Sequence, residues 1–334
     1  MMAADKVRLA AIGLGWWGGM LAEAVKRSGE GEIYTCFARS ADARKAYAEK
    51  VGCRQAGSFE EVLKDPAVQG LVLATPHSTH VPMIEQAASA GKHVFVEKPL
   101  ALTVKDARRA IAACEKAKVT LLVGHHRRRQ GANRRIKEMI GKGELGMVHQ
   151  LEANLSLFGG QTPRPGWRSD PDESPAGAMT GLGVHMIDNL IYLAGPVKRV
   201  AAFSKPLLGK SRLDDVTSLI LEFEGGPLGY IGSTYVIPKL CYTRAYGTEA
   251  SAYSDQEGGK LYFQKKGEDV PTEIPVQGGD ALALELAELA NCIRGKAKPE
   301  TDGHASLQVV AVLEGVIESA RTGRAVDVAA LRAG

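Results

Sequence analysis

The stretch Val7-Arg8-Leu9-Ala10-Ala11-Ile12-Gly13-Leu14-Gly15-Trp16-Trp17-Gly18 decides the fold of this chain. A short apolar run meets three glycines spaced G-x-G-x-x-G, and a helical pattern over 19–28 follows at once. That order reads as a buried parallel strand, a tight turn and a helix N-terminus aimed at a phosphate. Gly13 serves the tight turn. Gly15 lets a pyrophosphate approach the backbone with no Cβ in the way, and Gly18 lets the helix pack close to the strand. With 38 glycines in the chain, the spacing alone arises by chance. The strand before it and the helix after it supply the context that a dinucleotide loop requires.

Working outward, residues 1–124 alternate short apolar runs (7–12, 33–38, 70–74, 93–97, 120–124) with helical patterns (19–28, 41–50, 59–64, 81–90, 104–118). Ser58 with Glu61 forms a capping box, and Gly91 stands where a helix ends in a left-handed turn. Strict β-α-β-α order predicts an α/β, Rossmann-type doubly wound parallel sheet with helices on both faces. The texture changes after Gly124. A basic segment leads into one helix, and strand-like runs then crowd together at 147–158, 197–204, 216–223, 228–237, 241–247 and 260–264. Gly225-Gly226 and Gly258-Gly259 mark hairpins, and helical patterns stand at 183–194, 281–294 and 305–321. The expected organisation is a nucleotide-binding domain over 1–124, then an α+β domain with a mostly antiparallel open sheet over 125–334.

Length and composition agree with this. A chain of 334 residues suggests about two domains, and 45% apolar with 24% charged residues is enough for a real core. A net charge of +4 is too mild to point to nucleic acid or an anionic membrane. No stretch approaches the ~18 apolar residues of a membrane span, and the charged start of the chain does not read as a signal peptide. Cys36, Cys53, Cys114, Cys241 and Cys292 are dispersed with no C-x-x-C, which predicts reduced thiols in a cytoplasmic protein. No clustered His, Cys and Asp set predicts a metal.

The end of the second strand bears on which dinucleotide binds. A carboxylate there accepts hydrogen bonds from the adenosine ribose and repels a 2′-phosphate. Here the strand ends in Ala38-Arg39-Ser40, with no acid until Asp42. A small neutral residue, a guanidinium and a hydroxyl suit a 2′-phosphate, which favours NADP(H). The alternative is that Arg39 is an exposed loop residue stacking on adenine in either cofactor, which leaves NAD(H) open.

Two further stretches add to the glycine loop. Thr75-Pro76-His77-Ser78-Thr79-His80 follows the strand at 70–74, and Glu97-Lys98-Pro99 ends the strand at 93–97. With residues 13–18, they resemble the glucose-fructose oxidoreductase, inositol dehydrogenase and rhizopine catabolism family of NAD(P)-dependent oxidoreductases. The resemblance covers nearly the whole chain, including Trp167-Arg168 and the helix around His185. It implies that Lys98 sits beside the nicotinamide and contacts the reacting hydroxyl or carbonyl, with Glu97 and Pro99 flanking it and the proline in a cis bond. It implies that Thr75, Pro76 and His80 form a T-P-x-x-x-H turn packed around the cofactor, where His77 replaces a common asparagine. Trp16 and Trp17 in the glycine loop, and the Trp167-Arg168 pair in a second-domain loop, join the same cofactor-binding set. His185 matches an acid/base histidine. One position departs: many members carry an aspartate four residues before that histidine, and this chain has Gly181. The lysine–aspartate–histidine arrangement is therefore incomplete, which weighs against an inositol-like substrate.

Moving hydride off a carbinol requires the hydroxyl proton to leave, and the reverse requires a donor to the developing alkoxide. Lys98, at the C-terminal end of a parallel strand, is by itself a surface lysine at a turn or a group placed for that work, and the resemblance favours the second. On a helical wheel His185, Asp188, Asn189 and Tyr192 share one arc of an otherwise apolar helix. That arc faces solvent or walls a cleft; with the resemblance, the cleft reading places Asp188 near the substrate, orienting His185. The run His125-His126-Arg127-Arg128-Arg129 reads by itself as a solvated link between domains; the resemblance, in which a histidine or asparagine followed by an arginine is usual here, implies that Arg127 reaches the cleft, where it would hold a substrate carboxylate.

The sequence thus points to a dehydrogenase or reductase acting on a CH–OH or C=O group of a small sugar, cyclitol, polyol or carboxylated diol. Two competitors stand beside it: an imine or enone reductase on the same fold, and a non-catalytic NADP-binding sensor that docks a protein. The open second sheet must cover its outer face, which predicts a homodimer or homotetramer.

Overall fold

A computed structural model of the protein describes residues 6–159, 166–208 and 212–334. In the first part of the chain β1 (Val7–Ile12), α1 (Trp16–Ser28), β2 (Gly31–Phe37), α2 (Ala41–Val51), β3 (Arg54–Gln55), α3 (Phe59–Lys64), β4 (Gly70–Leu73), α4 (His80–Ser89), β5 (His93–Val96), α5 (Val104–Ala117) and β6 (Leu121–Val123) follow one another. The six strands form a parallel sheet in the order β3-β2-β1-β4-β5-β6. The order reverses between β1 and β4, the crevice where such sheets take ligands at their carboxyl ends. All of β4 and nearly all of β1 are buried, as a sheet covered on both faces requires. The helices start on local signals: Ser40, Ser58 and Thr103 accept from the backbone N–H three residues on, at 3.2, 3.0 and 3.2 Å.

The chain continues through α6 (Gly131–Gly141), β7 (Val148–Ser156), a π-turn at Met179–Gly183, α7 (Val184–Ala194), β8 (Val197–Lys205), β9 (Val216–Phe223), β10 (Leu228–Thr234), β11 (Leu240–Gly247), β12 (Ala250–Asp255), β13 (Lys260–Lys265) and β14 (Thr272–Ile274). It ends with α8 (Ala281–Ile293), α9 (Gly303–Thr322), β15 (Val326–Asp327) and α10 (Val328–Ala333). The second sheet runs β14-β13-β12-β11-β7-β10-β9-β8-β15 and is antiparallel except for the parallel pair β7 and β10. Gly225-Gly226 turns β9 into β10, with Gly226 at φ +101°, a value open to glycine. One face of this sheet is covered. On the other, Ala201, Ile220, Tyr230, Glu152, Arg244 and Tyr253 stand in register across six strands.

The chain divides into two compact units, 1–126 with 280–307 and 127–279 with 308–334. The expected division at 124/125 kept everything after 125 together, whereas α8 packs into the first unit. Leu286, Leu289 and Ala290 are buried against Leu21, Val25 and Val72 in one core. An amphipathic helix announces that it needs an apolar partner, not which one. No helix among the described residues is long and apolar enough to cross a membrane.

The basic run is a correction to the sequence reading. His125 to Arg129 are all buried, with Arg128 6% and Arg129 2% exposed. Arg128 donates through Nε and Nη2 to both oxygens of Asp188 at 2.7–2.9 Å, and its guanidinium lies 5.4 Å from the Tyr192 ring. Asp188 and Asn189 are each 1% exposed, so this part of the α7 polar arc faces neither water nor an open cleft. Charges buried this far persist only when paired and hydrogen-bonded. Burial, and then the Arg128 charge, hold the nearby Lys137 ammonium below its usual range. We expect Arg128→Ala to lower the unfolding free energy by about 3–5 kcal/mol, because it strands the Asp188 carboxylate. Joint replacement by Arg128→Met and Asp188→Leu should cost clearly less, as read from urea midpoints.

Candidate active site

The glycine loop shows which of its glycines the fold itself demands. Gly13 lies at φ +91°, and a Cβ there would fall on the Ala74 carbonyl. A Cβ at Gly18 would fall on the Gly13 carbonyl oxygen. Gly15 is different. It has an ordinary φ of −73°, and a Cβ there would meet nothing within 4 Å. It is the N-cap of α1, with no side-chain cap and no acid in the first helical turn. Unsatisfied N–H groups at a helix start favour an anion. The open space at Gly15, at an uncapped helix start, would admit a pyrophosphate, so the residues present fit a dinucleotide. Trp16 is 75% exposed beside it. Trp17 is half-buried, with ring centroids 5.4 Å from Trp16 and 6.0 Å from His126.

After β2, Arg39 is exposed and Ser40 is spent on capping α2. A residue the sequence reading passed over holds this loop: Arg44 Nη1 donates to the Ala38 and Arg39 carbonyls at 2.7 and 3.2 Å. After β4, Thr75 and Pro76 lead into a 3-10 turn, His77–Thr79. The Thr79 hydroxyl lies 2.7 Å from the Pro76 carbonyl and 2.8 Å from the Thr75 hydroxyl. His77 is 8% exposed, its ring edge-on to His80 at 5.6 Å.

His80 is fully buried. Its Nδ1 lies 3.0 Å from the Pro99 carbonyl and its Nε2 3.1 Å from the Thr75 carbonyl. It ties the two loops together from beneath. The Lys98-Pro99 bond is cis, and half-buried Lys98 stands just past the end of β5 beside buried Glu97. Within this unit, the glycine loop, Arg39, Thr75 to His77 and Lys98 all gather at the carboxyl ends of neighbouring strands.

In the second unit, Trp167 and Arg168 form a half-buried 3-10 turn, with the guanidinium 4.3 Å from the indole. His185 is 5% exposed in the first turn of α7. Among the described residues, no three His, Cys, Asp or Glu gather as metal ligands.

The family model described as "Oxidoreductase family, NAD-binding Rossmann fold" (GFO/IDH/MocA) matches residues 7–125, and the GFO/IDH/MocA C-terminal domain matches 133–253. The chain belongs to the GFO/IDH/MocA oxidoreductase family. It is 27% identical over 318 residues to the 1,5-anhydro-D-fructose reductase of Ensifer adhaerens, covering 91% of this chain and 93% of the relative. It is 30% identical over 234 residues to the myo-inositol 2-dehydrogenase of Thermotoga maritima, covering 68% of each. A solved structure from Desulfitobacterium hafniense, described as a candidate NADPH-dependent oxidoreductase, superposes with a TM-score of 0.92 at 32% identity, covering 98% of this chain and 99% of the other.

Two expected site residues of this GFO/IDH/MocA member have charged partners in the second unit. Asp188 accepts from Arg128 at both oxygens, which leaves further lone pairs on the carboxylate. Arg127 donates Nη2 to Glu257 at 3.0 Å and Nη1 to the Cys241 sulfur at 3.3 Å, both within its own unit. Burial disfavours the Glu257 carboxylate, but hydrogen bonds from Lys239 and Arg127 outweigh it and keep the carboxyl below its usual range. Burial pushes the Cys241 thiol up. At Gly181 the room for a side chain is taken by the Tyr235 hydroxyl, a residue the sequence reading missed. Gly15→Ala should leave the melting temperature of the ligand-free protein within ~1 °C, since surface changes that disturb no packing barely move stability. The same variant should bind the dinucleotide more weakly in a calorimetric titration. Gly18→Ala should lower the melting temperature by several degrees, because the new Cβ meets backbone.

Proposed function

We propose that this protein is an NADP(H)-preferring oxidoreductase that moves hydride between the nicotinamide and a CH–OH/C=O group of a sugar, cyclitol, polyol or carboxylated diol. The observation that carries the reading is Gly15, a glycine the protein's own packing does not need, at an uncapped helix start. Two curated relatives, a 1,5-anhydro-D-fructose reductase and a myo-inositol 2-dehydrogenase, support the substrate class.

Gly13, Gly15, Gly18, Trp16, Trp17 and the turn from Thr75 to His77 hold the dinucleotide in this reading, with Trp167 and Arg168 contributing from the second unit. The bound nicotinamide supplies hydride acceptance or donation. The chain's residues do the rest. The Lys98 ammonium stabilises the developing alkoxide on the reacting oxygen, and His185 takes up or returns its proton. Glu97 and Pro99 fix the turn that presents Lys98, and His80 positions that turn through its two carbonyl contacts. Arg39 supports a 2′-phosphate: it is exposed, its carbonyl is pinned by Arg44, and no acid stands beside it before Asp42. The absence of a carboxylate at the end of β2 is the feature that sets NADP(H) ahead of NAD(H).

The outer face of the second sheet supports a homodimer or homotetramer. Phe203, Ile220, Leu228 and Tyr230 are 72%, 58%, 53% and 38% exposed on neighbouring strands. Contiguous apolar surface of this kind marks an interface. Five free cysteines support a protein that works among reduced thiols, as the cytoplasm provides.

In steady-state assays over sugars, cyclitols and carboxylated diols, kcat/KM should be higher with NADP(H) than with NAD(H). Lys98→Ala should cut kcat at least ~10²-fold with little change in cofactor Kd. Near-normal turnover in that variant overturns the assignment of Lys98. Ile220→Lys should shift the light-scattering mass toward the monomer; an unchanged mass means the sheet face is not the interface.

A further inference from the structure

Gly181 lies in the π-turn Met179–Gly183, four residues before His185. Where the chain passes from π to α winding, positions four apart stack on one face of the helix. A side chain at 181 would therefore stand beside the His185 ring. Gly181 has none, but its place is filled. A Cβ built at Gly181 would collide with the Tyr235 hydroxyl oxygen, while the ring carbon bearing that oxygen would be 3.2 Å away. The prohibitive conflict is with one polar atom; the ring carbon behind it is a tight contact that a shift of a few tenths of an ångström relieves.

The placement of Tyr235 is fixed by backbone on both sides. Its N–H donates to the Asp215 carbonyl at 3.0 Å, and its own carbonyl accepts from Gly159 at 3.1 Å. Two residues earlier the Ser233 hydroxyl lies 2.7 Å from the Leu155 carbonyl and 3.1 Å from that of Ala178, just before the π-turn. A Cβ at Gly183 would come within 3.1 Å of Ser233 Cβ. Gly181 and Gly183 thus face Tyr235 and Ser233, two against two, so the end of β10 lies directly on the π-turn.

We propose that the Tyr235 phenol is a positioning residue for the acid/base step. It supplies, from the residue just past β10, the polar partner that the helix itself lacks at position 181, and so orients the His185 imidazole. This rests on the reading of His185 given above. A phenol accepts a hydrogen bond through its oxygen and donates one through its proton, so it fixes the ring nitrogen that faces it whichever tautomer His185 holds. The phenol keeps its own proton throughout, and proton exchange stays with His185. Unlike a carboxylate, it brings no negative charge to the site at neutral pH.

The geometry gives a test that a merely structural role would not pass. Tyr235→Phe, Gly181→Ala, their double variant, and Gly181→Asp on the Tyr235→Phe background are compared with the wild type. Tyr235→Phe should lower kcat by about 10- to 100-fold with little change in cofactor KM, as loss of an orienting partner does. Gly181→Ala should reproduce that loss, because its methyl group displaces the same oxygen. On the Tyr235→Phe background Gly181→Ala should add almost nothing, since the colliding atom is gone. Gly181→Asp on that background should recover part of the lost rate. The second readout needs no turnover: the imidazole nitrogen NMR signals of His185, assigned with His185→Gln, should move in Tyr235→Phe without loss of the folded spectrum.

Wild-type kcat together with unmoved His185 signals in Tyr235→Phe overturns the proposal. So do fully additive losses in the double variant. If the wild type turns over no sugar, cyclitol or diol, the functional reading fails, and the NMR arm still decides whether Tyr235 partners His185.

Discussion

Two backbone carbonyls stand where side chains would have to go. The Ala74 carbonyl excludes a Cβ at Gly13, and the Gly13 carbonyl excludes one at Gly18. The end of β4, the end of β1 and the first turn of α1 are thereby locked at van der Waals distance, with no side chain between them. From that lock a rigid line runs through the first unit. Ala74 is followed by Thr75, whose carbonyl meets His80, whose other nitrogen meets the Pro99 carbonyl next to Lys98. The uncapped helix start and the backbone of Lys98 after β5 are therefore connected by peptide planes and one buried imidazole. Long flexible side chains take no part in the connection, and sub-ångström placement is what hydride and proton transfer demand.

The second unit solves a different problem. Its helix α7 is buried almost all round, yet it carries His185, Asp188 and Asn189. Each polar group removed from water needs a partner of its own. Asp188 is neutralised by Arg128, and Asn189 reaches the Thr243 hydroxyl on β11 at 3.3 Å. Glu257 is shared by Arg127 and Lys239. The consequence is that the segment from Arg127 to Arg129 is fastened to α7 and to the turn after β12 by charge pairs. Such pairs add little net stability beside a well-packed apolar alternative, but they specify one arrangement, because any other leaves a charge stranded.

How much of this was legible depended on whether the signal was local. The glycine loop, the caps at Ser58 and the strands of the parallel sheet were readable, because each is written in a few adjacent residues. The strand β12 was passed over: Ala250, Ala252 and Ser254 alternate inward as a strand should, but small and polar residues give that alternation almost no hydropathic contrast. The run His125 to Arg129 was read as solvated because arginine is usually exposed. Its burial depends on carboxylates at Asp188 and Glu257, far along the chain, which no local window contains. The placement of α8 in the first unit failed for the same reason.

Position 181 carries that point into the chemistry. Read along the helix, a glycine there is a deletion: the face beside His185 loses a functional group. In space the deletion is a vacancy of shape, and the shape is that of one oxygen delivered by Tyr235, just past β10. The glycine is required because the tyrosine is present, and the tyrosine can reach only because the glycine is small. Neither residue has that meaning alone, and substitution at either one alters the surroundings of the same imidazole. On the proposed reading, the phenol gives the histidine an uncharged partner, beside an Asp188 carboxylate paired with Arg128. The site therefore depends on geometry where a carboxylate would have added field, and the fixed backbone on both sides of Tyr235 is what that geometry requires.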